Sequence, residues 1–251
     1  MLFSASSIIA GMSLLSLALA APAVPGEVTL EKRGFSCASP VTGLTAADCK
    51  HMSTIGMAGM GTNAKAANGA VWIGTQGPNT FVFKNSASAP VTVIIWTQAA
   101  GDYQSSFMNV RKPQVSYSIG AGQSVTISMA NGVSGGWAGL YNQKTTLSQY
   151  GQVFNTWGEF TTGAYATVDV SREVNMGGNA MTIQVGSCTS SMSKCVFTCK
   201  SGNTCGEAGT YSLINCAAGS QTGATYGLAA GQPSGGCQGF NNGGKVSVTF
   251  S

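Results

Sequence analysis

The hydrophobic pattern changes character near residue 80. Before it, the regular stretch is Leu44-Thr45-Ala46-Ala47-Asp48-Cys49-Lys50-His51-Met52, which predicts a short helix. Thr45 is placed to cap the first N–H groups, and Asp48, three positions on, to complete a capping box. Glycines 56, 59 and 61 then stop the helix. From Thr80 onward the period becomes two. Thr80 to Asn85 reads as a strand, Asn85-Ser86-Ala87-Ser88 as a turn, and Pro90 to Thr97 as a second strand. Its run Val91-Thr92-Val93-Ile94-Ile95-Trp96 is dense in β-branched residues, which suit a buried sheet. Further strands are predicted at Gln114–Ile119, Ser124–Met129, Gly135–Tyr141, Trp157–Thr162, Ala164–Ser171, Ala180–Val185 and Lys245–Phe250. Many short strands with punctuating turns indicate an all-β sandwich or flattened barrel, built from residues 79–185 and 244–251. Residues 34–78 form an N-terminal extension carrying the short helix.

Residues 186–243 are different in kind. They carry six cysteines and many glycines but few aliphatic side chains, so crosslinks must supply what burial cannot. A disulfide-rich lobe inserted before the last strand is expected. The full set is Cys37, Cys49, Cys188, Cys195, Cys199, Cys205, Cys216 and Cys237. An even number behind a leader sequence reads as four disulfides, for which about 105 pairings exist. Proximity favours Cys37 with Cys49, leaving six to pair among themselves. Zinc ligation needs paired C-x-x-C units with a closing Cys or His pair. The spacings here are wider and His51 is the sole histidine, so no metal and no cofactor are expected. His51 itself reads as a surface or cap residue.

The chain opens with an apolar run from Ile8 to Leu19 that ends in Ala18-Leu19-Ala20, the form of a signal peptide with its A-x-A cleavage site. It is short for a membrane span, and no later apolar stretch is long enough for one. Residues 21–33 end in Glu31-Lys32-Arg33, and a dibasic pair there resembles a kexin-type processing site of fungal secreted proteins. Cleavage after Ala20 and after Lys32-Arg33 would leave a secreted, extracellular protein beginning at Gly34. Only 8% of residues are charged, against roughly 25% in ordinary domains. The ten basic and six acidic residues from Gly34 onward are scattered. Nucleic-acid binding, which needs a clustered basic face, is therefore not expected. A monomer is expected.

Several segments carry a family resemblance. Phe81-Val82-Phe83-Lys84-Asn85 with Pro90 to Trp96 resembles the opening hairpin of the thaumatin-like proteins. Gly122 to Ile127 followed by Gly132 to Trp137 resembles their next strand pair. Gly158-Glu159-Phe160, Val168-Asp169-Val170-Ser171 and Gly178 to Ile183 resemble their central segment, and Lys245 to Phe250 their closing strand. The resemblance implies a thaumatin-like β-sandwich with an acidic cleft between sandwich and lobe, and in some members binding or cleavage of β-1,3-glucan. Glu159 matches the cleft glutamate and Asp169 the first cleft aspartate. The family's next aspartate falls at Val174; Glu173 is one position off and on a strand would face away. After Glu207 there is no acid. The family's sixteen cysteines are reduced to eight.

Glycoside hydrolysis uses two carboxylates flanking the scissile bond, and Glu159 with Asp169 is the candidate catalytic pair. Trp157, Arg172 and Glu173 are the candidate substrate-binding residues. The alternative is that both acids are framework, bonded to backbone or paired with Arg172 or Arg111. Trp72, Trp96, Trp137 and Trp157, and tyrosines such as Tyr103, Tyr141 and Tyr150, are candidates for stacking on sugars or for core anchors. Gly132-Val133-Ser134-Gly135-Gly136 fits G-x-S-x-G, but a hydrolase elbow needs a strand before it, a helix after it and a histidine; a turn is expected. The leading functional expectation is a fungal-type effector or elicitor acting without catalysis in a host's apoplast, its partner a host extracellular protein. A cell-wall polysaccharide is the other expected partner, for a β-1,3-glucan binder or weak endo-β-1,3-glucanase. An antifungal defence-type protein is a third reading.

Overall fold

The computed structural model describes residues 34–67, 69–98 and 109–251. Ala20, Lys32 and Arg33, with the leader and propeptide they delimit, lie outside the described residues, as does Tyr103. The chain from Gly34 is mostly β-sheet. In order it forms α1 (Ala46–Thr54), β1 (Val71–Ile73), β2 (Asn79–Asn85), β3 (Val91–Thr97), β4 (Val115–Ile119), β5 (Ser124–Met129), β6 (Ser134–Tyr141) and β7 (Trp157–Thr161). There follow β8 (Thr167–Ser171), β9 (Met181–Val185), β10 (Cys188–Ser191), β11 (Val196–Cys199), β12 (Tyr211–Ile214), β13 (Ala224–Ala229), β14 (Gln232–Cys237) and β15 (Gly244–Phe250).

Two sheets result. The first has six strands in the order β1-β5-β2-β15-β9-β10. The closing strand β15 runs parallel to β2 and antiparallel to β9. The second sheet runs β12-β11-β8-β7-β6-β3-β4, with the β13–β14 hairpin joined through β14 to β8. Strand β8 thus shares one edge between β14 at Val168 and β11 at Val170 and Ser171. The cysteine-rich segment supplies β10 to the first sheet and β11 to β14 to the second, in one compact unit with the sandwich. Its polar, glycine-rich strands lack the apolar alternation that reveals a strand in sequence.

Alternation builds the core between the sheets. Phe81, Phe83, Ile127, Ile183, Val246, Val248 and Phe250 of the first sheet meet Val91, Val93, Ile95, Phe160, Val168 and Val170 of the second. Trp137 lies at the centre, fully buried and edge-on to Phe81 and Phe83. Its opposite neighbour is Gly158, where a Cβ would stand 2.1 Å from the indole; the glycine makes room for the ring.

The second sheet is apolar on its outer face as well. Ile94, Trp96, Ala138, Leu140 and Trp157 point outward and are covered by Leu44, Cys49, Met52 and Met57 of the extension. Helix α1 ends in a Schellman turn, with Gly56 at φ +89°. There the Met57 N–H reaches the Met52 carbonyl and the Gly56 N–H the Ser53 carbonyl. The extension also covers the β4 edge, where the Asn63 amide exchanges hydrogen bonds with the N–H and C=O of Ser116 as a neighbouring strand would. Four disulfides close the chain: Cys37–Cys49, Cys188–Cys237, Cys195–Cys216 and Cys199–Cys205. The first is the pair that proximity suggested. Among the described residues no helix is long and apolar enough to cross a membrane.

Asp48 pins the helix to the sheet. The Thr45 hydroxyl caps the Asp48 N–H, but the box closes through a third residue: the Thr45 N–H donates to Ser118 Oγ, and the Ser118 hydroxyl donates to Asp48. Gln143 and the Thr45 hydroxyl also donate to this carboxylate. Burial opposes its ionisation, yet hydrogen bonds from Ser118, Gln143, Thr45 and Thr92 outweigh it and hold its pKa below the ordinary value. Asp48→Ala is expected to cost about 2–3 kcal/mol, since it strands several buried donors. Thermal unfolding of the purified variant should show a Tm lower by roughly 4–10 °C; a change within error would mean that the network contributes nothing.

Candidate functional site

Part of the outer face of the second sheet is left open, between the α1 cover and the β13–β14 hairpin. Across it, register sets the residues in rows. Trp96 of β3 stands opposite Gly136 of β6, Gly136 opposite Glu159 of β7, and Glu159 opposite Asp169 of β8. Directly opposed residues of an antiparallel pair hold their Cβ atoms about 4.5–5.5 Å apart, so the two acids face each other at close range. Gly136 makes the row possible, because a Cβ there would lie 2.7 Å from the Trp96 ring.

Glu173 joins them. Strand β8 ends at Ser171, so the alternation that would have turned Glu173 away no longer applies. Its backbone carbonyl accepts from the Cys205 N–H, the Thr204 hydroxyl donates to the Val174 carbonyl, and the Met176 N–H reaches the Asn203 carbonyl. The loop closed by Cys199–Cys205 is therefore laced to residues 173–176 and seats Glu173 in the cleft. Of the six acids from Gly34 onward, three meet here.

Two cavities open over these acids. One, about 550 Å³, is lined by Glu159, Asp169, Tyr165, Phe197 and Leu228 among others. The second, about 420 Å³, is lined by Glu159, Glu173, Trp96, Trp157 and Tyr211 among others. Burial raises the Glu159 carboxyl to about 7. Burial and then the charge of Glu159 raise Glu173 to about 8. Asp169 is pushed well above the carboxylate range by burial, then by Glu159 and Glu173. Tyr211 is raised for the same reasons: burial first, then Glu173 and Glu159. Asp169 Oδ1 is buried with no hydrogen-bond partner.

The other sequence candidates fall in various places. Arg172 is spent on backbone, donating to the carbonyls of Met192 and Met176, and lines neither cavity. It therefore does not fit the substrate-binding role expected of it, nor does it pair with the acids. Trp157 lines the second cavity but is only 4% exposed; it stacks edge-on with Trp96 and donates to the Val153 carbonyl. Trp72 and Trp137 are buried, while Tyr150 is exposed away from both cavities. His51 meets the Thr145 carbonyl at 2.7 Å, far from Ser134, whose hydroxyl meets that of Thr161. Phe197, Tyr211 and Tyr165 were missed. The first two lie on strands with no apolar alternation, and strand β8 starts at Thr167, leaving Tyr165 on the turn before it rather than in the strand expected from Ala164.

Among protein families, the Allergen Asp f 4-like domain matches residues 75–213. That span contains the three cleft acids, Phe197 and Tyr211. Comparison with curated proteins finds no match.

The acids set a pH dependence of definite sign. Their folded-state pKa values lie above those of the unfolded chain, so unfolding releases protons between about pH 4.5 and 8, and stability falls as pH rises through that window. Asp48 acts oppositely, its contribution being lost as pH falls through its lowered pKa. A Tm profile of residues 34–251 should peak on the acid side, and Glu173→Gln should flatten its decline toward pH 8. A flat wild-type profile from pH 4.5 to 8 would contradict the assignment.

Proposed function

For this chain, which belongs to the Allergen Asp f 4-like family over more than half its length, we propose a secreted polysaccharide-binding protein whose acidic cleft hydrolyses β-1,3-glucan. The observation that carries the reading is the convergence of Glu159, Asp169 and Glu173 in a desolvated, aromatic-lined cleft, where burial, joined at Asp169 and Glu173 by the charge of neighbouring acids, raises all three pKa values. Burying like-charged acids without compensation works against folding. Active sites are where such arrangements persist, because the chemistry needs a carboxyl that holds its proton near working pH.

Glu159 and Asp169 provide the two groups that glycoside cleavage requires. The protonated member gives its proton to the glycosidic oxygen as that bond breaks, and the ionised member attacks the sugar carbon from the opposite side. Water, giving a proton back to the first member, then displaces the carboxylate and releases the sugar. Their face-to-face register suits the close separation of a retaining enzyme, about 5–5.5 Å between carboxyls. Glu173 adds to the proton affinity of Asp169, and Trp157, Phe197 and Tyr211 form apolar walls. The thaumatin-like resemblance supports this reading, since Glu159 and Asp169 are the residues it assigns to a cleft between sandwich and lobe. Four disulfides support secretion.

Mature protein incubated with insoluble β-1,3-glucan should co-sediment with it and release reducing ends. Glu159→Gln and Asp169→Asn should each lower release at least about 100-fold while leaving the circular dichroism spectrum intact. Full activity in Glu159→Gln would sink the catalytic assignment. Neither sedimentation nor release by wild type would turn the reading to a non-enzymatic effector with a protein partner.

A further inference from the structure

The cleft consists of two cavities, and Glu159 lines both. Trp157, Glu159 and Thr161 occupy one face of β7, and Ser171, Asp169 and Thr167 stand opposite them on β8. With a rise of about 3.3 Å per residue, the floor from Trp157 to Thr161 runs about 13 Å, longer than one sugar ring. The facing acids lie in its middle. One end is the smaller cavity with Trp157, Tyr211 and Glu173; the other runs toward the β7–β8 turn.

That second end has its own character. Tyr165, on the turn, lines the cavity yet is 84% exposed, and Leu228 of the β13–β14 hairpin, also in the lining, is 67% exposed. Neither ring nor branched chain stabilises the fold from that position. Apart from the two acids the polar lining is neutral, serine and threonine hydroxyls such as those of Ser134, Thr161, Thr167 and Ser234 with the amides of Gln98 and Gln238. A polyanion would be repelled by Glu159 and Asp169. A neutral polyhydroxyl chain would find donors, acceptors and a ring face to stack on.

Resting on the hydrolase reading above, we infer that the Tyr165 cavity is a chain-side subsite. It holds the sugars that continue a neutral polysaccharide beyond the bond facing Glu159, with Tyr165 as stacking platform and Leu228 as opposite rim. The protein then engages internal stretches of polymer rather than chain ends alone.

The test is a calorimetric titration of the mature protein with a short and a long linear β-1,3-gluco-oligosaccharide, using Glu159→Gln as background to prevent turnover. Affinity should rise with length. Adding Tyr165→Ala should weaken the long ligand roughly tenfold, leave the short one unchanged, and leave Tm unchanged because the ring is exposed. Equal binding of the long ligand with and without Tyr165, in a protein whose wild type hydrolyses glucan, would overturn the subsite and leave the hydrolase reading standing. A wild type that neither binds nor cleaves either ligand would overturn both.

Discussion

The second sheet is apolar on both faces, and that constraint organises the rest of the molecule. Strand β3 is buried at every position but its last, so packing the two sheets together covers only half of what must leave water. The outer half needs its own cover. The N-terminal extension provides it over β3, β6 and the start of β7, and its attachment relies on Asp48, a carboxylate stabilised by four donors. The disulfide-tied strands β11 to β14 extend the sheet on the other side of β8. Between the two covers a trough remains.

The same chain treats its desolvated acids in opposite ways. Asp48 is buried and satisfied, with a lowered pKa, and serves the fold. Glu159, Asp169 and Glu173 are desolvated beside one another, with pKa values raised. In a protein with so few charges, this contrast separates structural carboxylate from candidate chemistry more sharply than burial alone does. The disulfides contribute to the second kind as well, since the Cys199–Cys205 loop holds the backbone of Glu173.

Much of the sandwich was legible in sequence because its strands bury one face and alternate cleanly, as Asn79–Asn85 and Met181–Val185 do. The helix was legible from Thr45 and Asp48, although closure of the cap through Ser118, 70 residues away, was not. Strand Ala224–Ala229, largely exposed, carries no periodic signal; it is held by pairing with β14, which joins β8 and carries Cys237 of the Cys188–Cys237 disulfide. In the cleft, Glu159 and Asp169 were found by resemblance. Glu173 reaches the cleft because it lies two residues past the end of β8, where strand alternation does not apply. Phe197 and Tyr211 reach the site only through long-range pairing, which no local pattern encodes, whereas Tyr165 is placed by the turn between β7 and β8.

The raised pKa values of the three cleft acids mean that protons stay in the cleft at near-neutral pH, and NMR titration of the side-chain carboxyl carbons observes them. Glu159 and Glu173 should titrate near 7 and 8, with Asp169 also raised and Asp48 lowered. Titration of all three cleft carboxyls in the ordinary range of about 4–4.5 would remove the reason for reading the cleft as a site of chemistry.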